Sequence, residues 1–149
     1  MGHPPELECL MQGKGYVTQS ESRALGIKPR HLGHVREITM GTKNEHWLFA
    51  RTVIPMNTLK GNAKRLARMN GTPLGRVLFG QINAKRVQMS LDIVFVEDLI
   101  LSENMDLSGF NVPEDFPLWQ RRSIFELESG PLLIIETFLP DCPVYDSQA

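Results

Sequence analysis

The sequence is short of the residues that would commit it to a covalent or metal-built scaffold. Of its 149 residues only two are cysteine, Cys9 and Cys142, near opposite ends. Two isolated cysteines make no disulfide framework. The opening stretch Met1-Gly2-His3-Pro4-Pro5-Glu6 has no basic region followed by an apolar one. Both cysteines are therefore expected to be free thiols in a reducing, cytoplasmic compartment. The four histidines, His3, His31, His34 and His46, show no metal-site spacing with acids or cysteines, so no metal is expected. No apolar run approaches the roughly 20 residues that span a bilayer, which argues against membrane insertion. Formal net charge is only −1, too balanced for a nucleic-acid footprint. The densest basic run, residues 60–68, is broken by Gly61, Asn62, Ala63, Leu66 and Ala67 and reads as a solvated face. There is no glycine-rich phosphate loop and no Gly-x-Ser-x-Gly elbow. No cofactor is expected. What remains is a chain of single-domain size whose apolar fraction of 42% can build a core unaided.

Periodicity divides the chain unevenly. Residues 1–32 are weakly patterned and punctuated by Gly13, Gly15, Gly26 and Pro29. Residues 35–40 and 46–54 read as two strands of an antiparallel hairpin, joined by Gly41-Thr42-Lys43-Asn44-Glu45. A helix is expected next, capped by Asn57 or Thr58, with Leu59, Leu66 and Met69 as its stripe and Asn70-Gly71 as a left-handed stop. Thr72-Pro73 opens a second short helix, with Thr72 as cap and Gly80 near its end. Residues 91–101 read as a strand and 102–118 as a loop holding Gly109, Pro113 and Pro117. A short strand at 123–127, a turn at Glu128-Ser129-Gly130 and a strong strand at 132–139, stopped by Pro140, close the chain. The sum is an α+β domain over residues 1–149, an antiparallel sheet with helices packed on it.

Three kinds of position could carry chemistry. Strand side chains alternate between faces, so Glu136 shares one face with Leu132, Ile134 and Phe138. An acid among apolar neighbours is costly unless paired. It is either a cavity-lining carboxyl, whose pKa burial can raise to suit proton donation, or half of a structural ion pair. Arg36 shares a face with His34, Ile38 and Met40, and Arg51 with Trp47, Phe49 and Val53. Such an arginine meets a carboxylate, either a ligand's or one of the protein's own such as Glu37 or Glu136, or else packs its stem and sends its head to solvent. Third, the helix start at Leu74 and Gly75 offers backbone N–H groups to an anion.

Four segments together resemble the chorismate lyase family. They are Val35-Arg36-Glu37-Ile38, Ala50-Arg51-Thr52-Val53-Ile54-Pro55 and Gly71-Thr72-Pro73-Leu74-Gly75-Arg76-Val77-Leu78-Phe79. The last begins at Trp119-Gln120-Arg121-Arg122-Ser123 and ends at Glu136-Thr137-Phe138-Leu139-Pro140. The resemblance implies a chorismate lyase-like fold and the cofactor-free elimination of pyruvate from chorismate, giving 4-hydroxybenzoate for ubiquinone synthesis. It implies a monomer whose partners are that substrate and that product. By position, Arg36 and the Leu74 amide would hold the ring carboxylate, and Glu136 would meet the ring hydroxyl. Arg36 and Glu136 would be the catalytic pair. Ala50 stands where the family often has glycine, so its methyl would face the ligand.

The resemblance also sets two departures. The chain is expected to lack most of the family's N-terminal region, and residues 80–118 form a longer link than the family's. Two other readings share the fold: a non-catalytic small-carboxylate effector domain of the kind found in bacterial transcription regulators, and a degenerate copy that has lost activity. The regulators lack the Arg/Glu pair, so Arg36 with Glu136 favours the enzyme.

Overall fold

A computed structural model describes residues 5–29, 31–99, 110 and 112–148. Six strands form one antiparallel sheet. They are β1 (Glu6–Tyr16), β2 (Leu32–Gly41), β3 (His46–Pro55), β4 (Lys85–Val94), β5 (Leu118–Leu127) and β6 (Gly130–Phe138), in the order β1-β2-β3-β6-β5-β4. The chain thus lays down one edge as a meander, crosses to the far edge at β4, and returns to the centre with β6. The β2–β3 and β5–β6 hairpins stand where alternation places them. In the first, Arg36 lies opposite Thr52 and Ile38 opposite Ala50. In the second, Arg121 lies opposite Glu136.

Both faces of the sheet are covered in part. On one face, Ile54, Leu132 and Phe125 pack against Ala63, Leu66, Met69, Val77 and Leu78. On the other, Val53, Leu133 and Ile135 pack against Val17 and Leu25, which bracket the helix α1 (Gln19–Leu25). Thr18 caps α1 reciprocally with Glu21, each side chain bonding the other's backbone N–H.

Several elements depart from the sequence reading. The weakly patterned start contains β1 and α1. β1 is an edge strand of mixed polar and apolar residues, kept in the sheet by backbone pairing with β2 rather than by a buried stripe. The helix expected over 57–69 is instead two stretches of 3₁₀ turns, Met56–Thr58 and Gly61–Arg68. Ala63, Leu66 and Met69 recur every third residue and are buried, the period of a three-residue turn. Asn70 takes the left-handed conformation expected of a stop, at φ 49°. Pro73 caps the short helix α2 (Leu74–Val77) in place of Thr72, and a π turn carries the chain from Leu78 to Ile82 past the expected end at Gly80. β4 begins six residues before the strand expected at 91 and ends at Val94; the far end of that expected strand lies outside the described residues. β5 begins at Leu118, the last residue of the expected loop, so Trp119, Gln120, Arg121 and Arg122, which carried no assignment, belong to the sheet. Most of the expected loop over 102–118 also lies outside the described residues.

Candidate active site

On the face shared with α2, the sheet and the short helix enclose a cavity of about 250 Å³. This is below the roughly 300–1,000 Å³ typical of drug-sized sites and suits one substituted six-membered ring. All four residues expected at the site line it: Arg36 from β2, Ala50 from β3, Leu74 from α2 and Glu136 from β6. Pairing explains the convergence. Ile38, Ala50, Glu136 and Arg121 form one row across β2, β3, β6 and β5, and Arg36, Thr52 and Ile134 form the next. Ala50 therefore sits between Ile38 and Glu136, with its methyl in the floor of the cavity.

Arg36 is buried, with 3% exposure. Its Nη2 donates to the carbonyls of Asn70 (2.9 Å) and Thr72 (2.7 Å), which ties the turn before α2 to the sheet. Its Nε–H has no partner among the described residues, and no described carboxylate lies within ion-pair distance. Burial lowers its pKa from the ordinary arginine value, with Cys9 acting in the opposite sense. A buried cation that meets carbonyls but no carboxylate is suited to receive an anion.

Glu136 is partly exposed at 19% and receives a bidentate fork from Arg121, Nε to Oε1 at 2.8 Å and Nη2 to Oε2 at 3.0 Å. Glu136 thus lines the cavity and is also half of an ion pair. The hydrogen bond to Glu136 raises the Arg121 pKa, and partial burial opposes it. Each carboxylate oxygen keeps a second lone pair for a ligand hydroxyl.

Arg51 falls outside this cavity. It points to the opposite face, where Nε and Nη2 fork onto Glu21 (2.6 and 3.0 Å) and Nη1 meets Glu37 at 3.4 Å. It is a structural arginine. Cys9 and Cys142 are both free thiols, and residues 60–68 turn Lys64, Arg65 and Arg68 to solvent.

Two cavity arginines escaped the sequence reading. Arg121 was hidden by placing the start of its strand at 123; running the alternation back from Phe125 through Ser123 puts it on the cavity side. Arg86 lies in β4, in a stretch that carried no assignment. Phe79, from the π turn, and the buried Phe125 add an aromatic wall, their rings edge to face at 5.6 Å. A larger groove of about 520 Å³ lies on the other face between α1, β4 and β5. It lacks Arg36, Leu74 and Glu136.

Comparison with known proteins identifies the family. The family model described as Chorismate lyase matches residues 6–149. The chain belongs to the chorismate lyase family. It is similar to the chorismate pyruvate-lyase of Yersinia enterocolitica, 35% identical over 141 residues, covering 95% of this chain and 69% of that one. The chorismate pyruvate-lyase of Hamiltonella defensa is 36% identical over 125 residues, covering 84% of this chain and 58% of its own. That of Escherichia coli K12 is 34% identical over 134 residues, covering 89% and 68%. The chain thus spans well under the full length of these relatives, and less than two thirds of the Hamiltonella protein. Among solved structures, the PhnF C-terminal domain superposes with a TM-score of 0.72 at 16% identity, covering 95% of this chain and 86% of that domain. A GntR-family transcriptional regulator from Bacillus cereus gives 0.65 at 11% identity, covering 93% and 94%. These two share the fold alone with the chorismate lyase family member described here.

Proposed function

We propose that this chain eliminates pyruvate from chorismate and leaves 4-hydroxybenzoate, supplying ubiquinone synthesis as a monomer in the cytoplasm, with no metal or cofactor. The observation that carries the reading is the gathering of Arg36, Ala50, Leu74 and Glu136, from three strands and a helix start, around one ring-sized cavity. The ring carboxylate sits against Arg36 and the backbone N–H of Leu74. The ring hydroxyl donates to Glu136, whose carboxylate is fixed from behind by Arg121. The bond between the ring carbon and the enolpyruvyl oxygen breaks, the neighbouring ring carbon loses its proton, and the enol product takes up a proton to become pyruvate. Aromatisation supplies the driving force. The protein's part is to hold the reactive conformer and to assist the proton's movement.

The effector-domain reading is not favoured. The PhnF C-terminal domain and the Bacillus cereus regulator share the fold at 16% and 11% identity, whereas the lyases are 34–36% identical.

The test is to mix purified protein with chorismate and follow both products by chromatography. Equal amounts of 4-hydroxybenzoate and pyruvate above the uncatalysed background are expected. Glu136→Gln should fold and bind 4-hydroxybenzoate but turn over more slowly by roughly 10²–10⁴-fold, the usual contribution of a positioned acid–base group. Near-normal turnover in that variant removes Glu136 from the mechanism.

A further inference from the structure

We propose that Arg86 is the contact for the second carboxylate of the substrate, the one carried by the departing enolpyruvyl group. The inference rests on the lyase reading and extends it to a part of the ligand that the family resemblance leaves unassigned.

The first argument is charge. Three arginines, Arg36, Arg86 and Arg121, line the cavity with one carboxylate, Glu136. Their formal sum is two positive charges, and chorismate brings two carboxylates. Arg36 accounts for one of these. Arg121 has its fork committed to Glu136 at 2.8 and 3.0 Å. Arg86 meets no carboxylate at ion-pair distance among the described residues.

The second argument is position. Across the sheet the charged side chains run in the order Arg36 on β2, Glu136 on β6, Arg121 on β5 and Arg86 on β4. In the substrate the ether carbon adjoins the hydroxyl carbon, so the enolpyruvyl group projects sideways from the end of the ring held at Glu136. The cations on the strands beyond β6 at that end are Arg121 and Arg86.

The third is preorganisation. Arg86 is exposed and on an edge strand, yet its Cζ lies 5.1 Å over the ring of Phe125, which is 2% exposed. That ring belongs to the neighbouring strand, so the stack turns the guanidinium inward from the edge. Cation–π stacking holds the head and leaves the N–H groups for a carboxylate. A bulge between Arg86 and Gln88 interrupts the β4–β5 register next to this residue, a device that re-aims side chains near sites.

The two ligands of the reaction separate this role from general damage, because 4-hydroxybenzoate keeps the ring carboxylate and lacks the enolpyruvyl one. Wild type, Arg86→Ala and Arg86→Lys are compared in steady-state kinetics with chorismate and in calorimetry with 4-hydroxybenzoate. Arg86→Ala should lose roughly 10–100-fold in kcat/KM, the worth of a hydrogen bond to a charged group. Its affinity for 4-hydroxybenzoate should stay within about twofold of wild type, and Arg86→Lys should recover part of the loss. An active wild type whose Arg86→Ala variant keeps its kcat/KM, or loses affinity for both ligands equally, overturns the assignment to Arg86 alone. A wild type that neither binds nor converts chorismate overturns the lyase reading and this role with it.

Discussion

Arg51 and Arg36 stand on adjacent strands, β3 and β2, and reach into opposite faces of the same sheet. Both are 3% exposed. On the α1 side, Arg51 bonds from Nε, Nη1 and Nη2 onto Glu21, Glu37 and the carbonyl of Tyr16. Burial alone would lower its pKa, but the two carboxylates outweigh it and the net shift is upward. On the cavity side, Arg36 meets two carbonyls, keeps a bare Nε–H, and is shifted downward by burial. The contrast separates two uses of one residue type. A guanidinium that ends on the protein's own carboxylates holds the fold, and one that meets none of them is left able to receive an outside anion.

Removing the saturated arginine breaks the comparison most severely. Arg51→Ala leaves Glu21, which has no exposure, buried without the guanidinium that forks onto it. Breaking a buried pair in this way costs about 3–5 kcal/mol, a large share of a typical domain's stability of roughly 5–15 kcal/mol. Urea denaturation should show that loss, and whatever remains folded should still bind 4-hydroxybenzoate. A loss below about 1 kcal/mol, the range of exposed pairs, would mean that the two faces do not differ as argued.

Arg36→Ala should act the other way round. Affinity for 4-hydroxybenzoate should fall by about 2–5 kcal/mol, the cost of truncating one side of a buried charged contact. Calorimetry measures this directly. Stability should fall by less than in Arg51→Ala, since only two bonds to carbonyls are lost. Unchanged affinity would reduce Arg36 to a clamp on the turn before α2.

The two faces were not equally legible in the sequence. The β2–β3 hairpin and β6 were readable because their alternation is strong, and with them came Arg36 and Glu136; Ala50 came only from the family resemblance. Leu74 followed from a proline-marked helix start. Arg51 was flagged as odd without being placed, because its main partner, Glu21, lies in α1, a seven-residue helix in a stretch without a periodic signal. Pairing at that distance along the chain is a property of the fold, not of local pattern. Arg121 was lost to a strand boundary set five residues late. Arg86 was lost because β4 is exposed along nearly its whole length, so no burial period marks it.

The smallest effect expected sharpens the comparison through a neighbour. His34 lies two residues before Arg36 on the same side of β2, opposite Ile54 on β3 and Lys14 on β1. It is 6% exposed, and its Nε2 has no partner among the described residues. Burial first, and the charge of Arg36 second, lower its pKa below the ordinary 6.5. The folded protein therefore holds His34 neutral where the unfolded chain begins to protonate it. The unfolded state then binds more protons, so stability is undiminished above about pH 6.5 and declines as pH falls from there through the lowered folded value. Glutamine at this position has no such proton to bind. Denaturation curves of wild type and His34→Gln, measured over a series of pH values, should differ by a constant amount above about pH 6.5, with the gap shifting against wild type below it. Other acid-sensitive contributions are shared by both chains and cancel in the difference. A gap that stays constant through that range would mean that His34 feels neither its burial nor Arg36. The uncompensated charge assigned to the cavity face would then have to be neutralised by the protein itself.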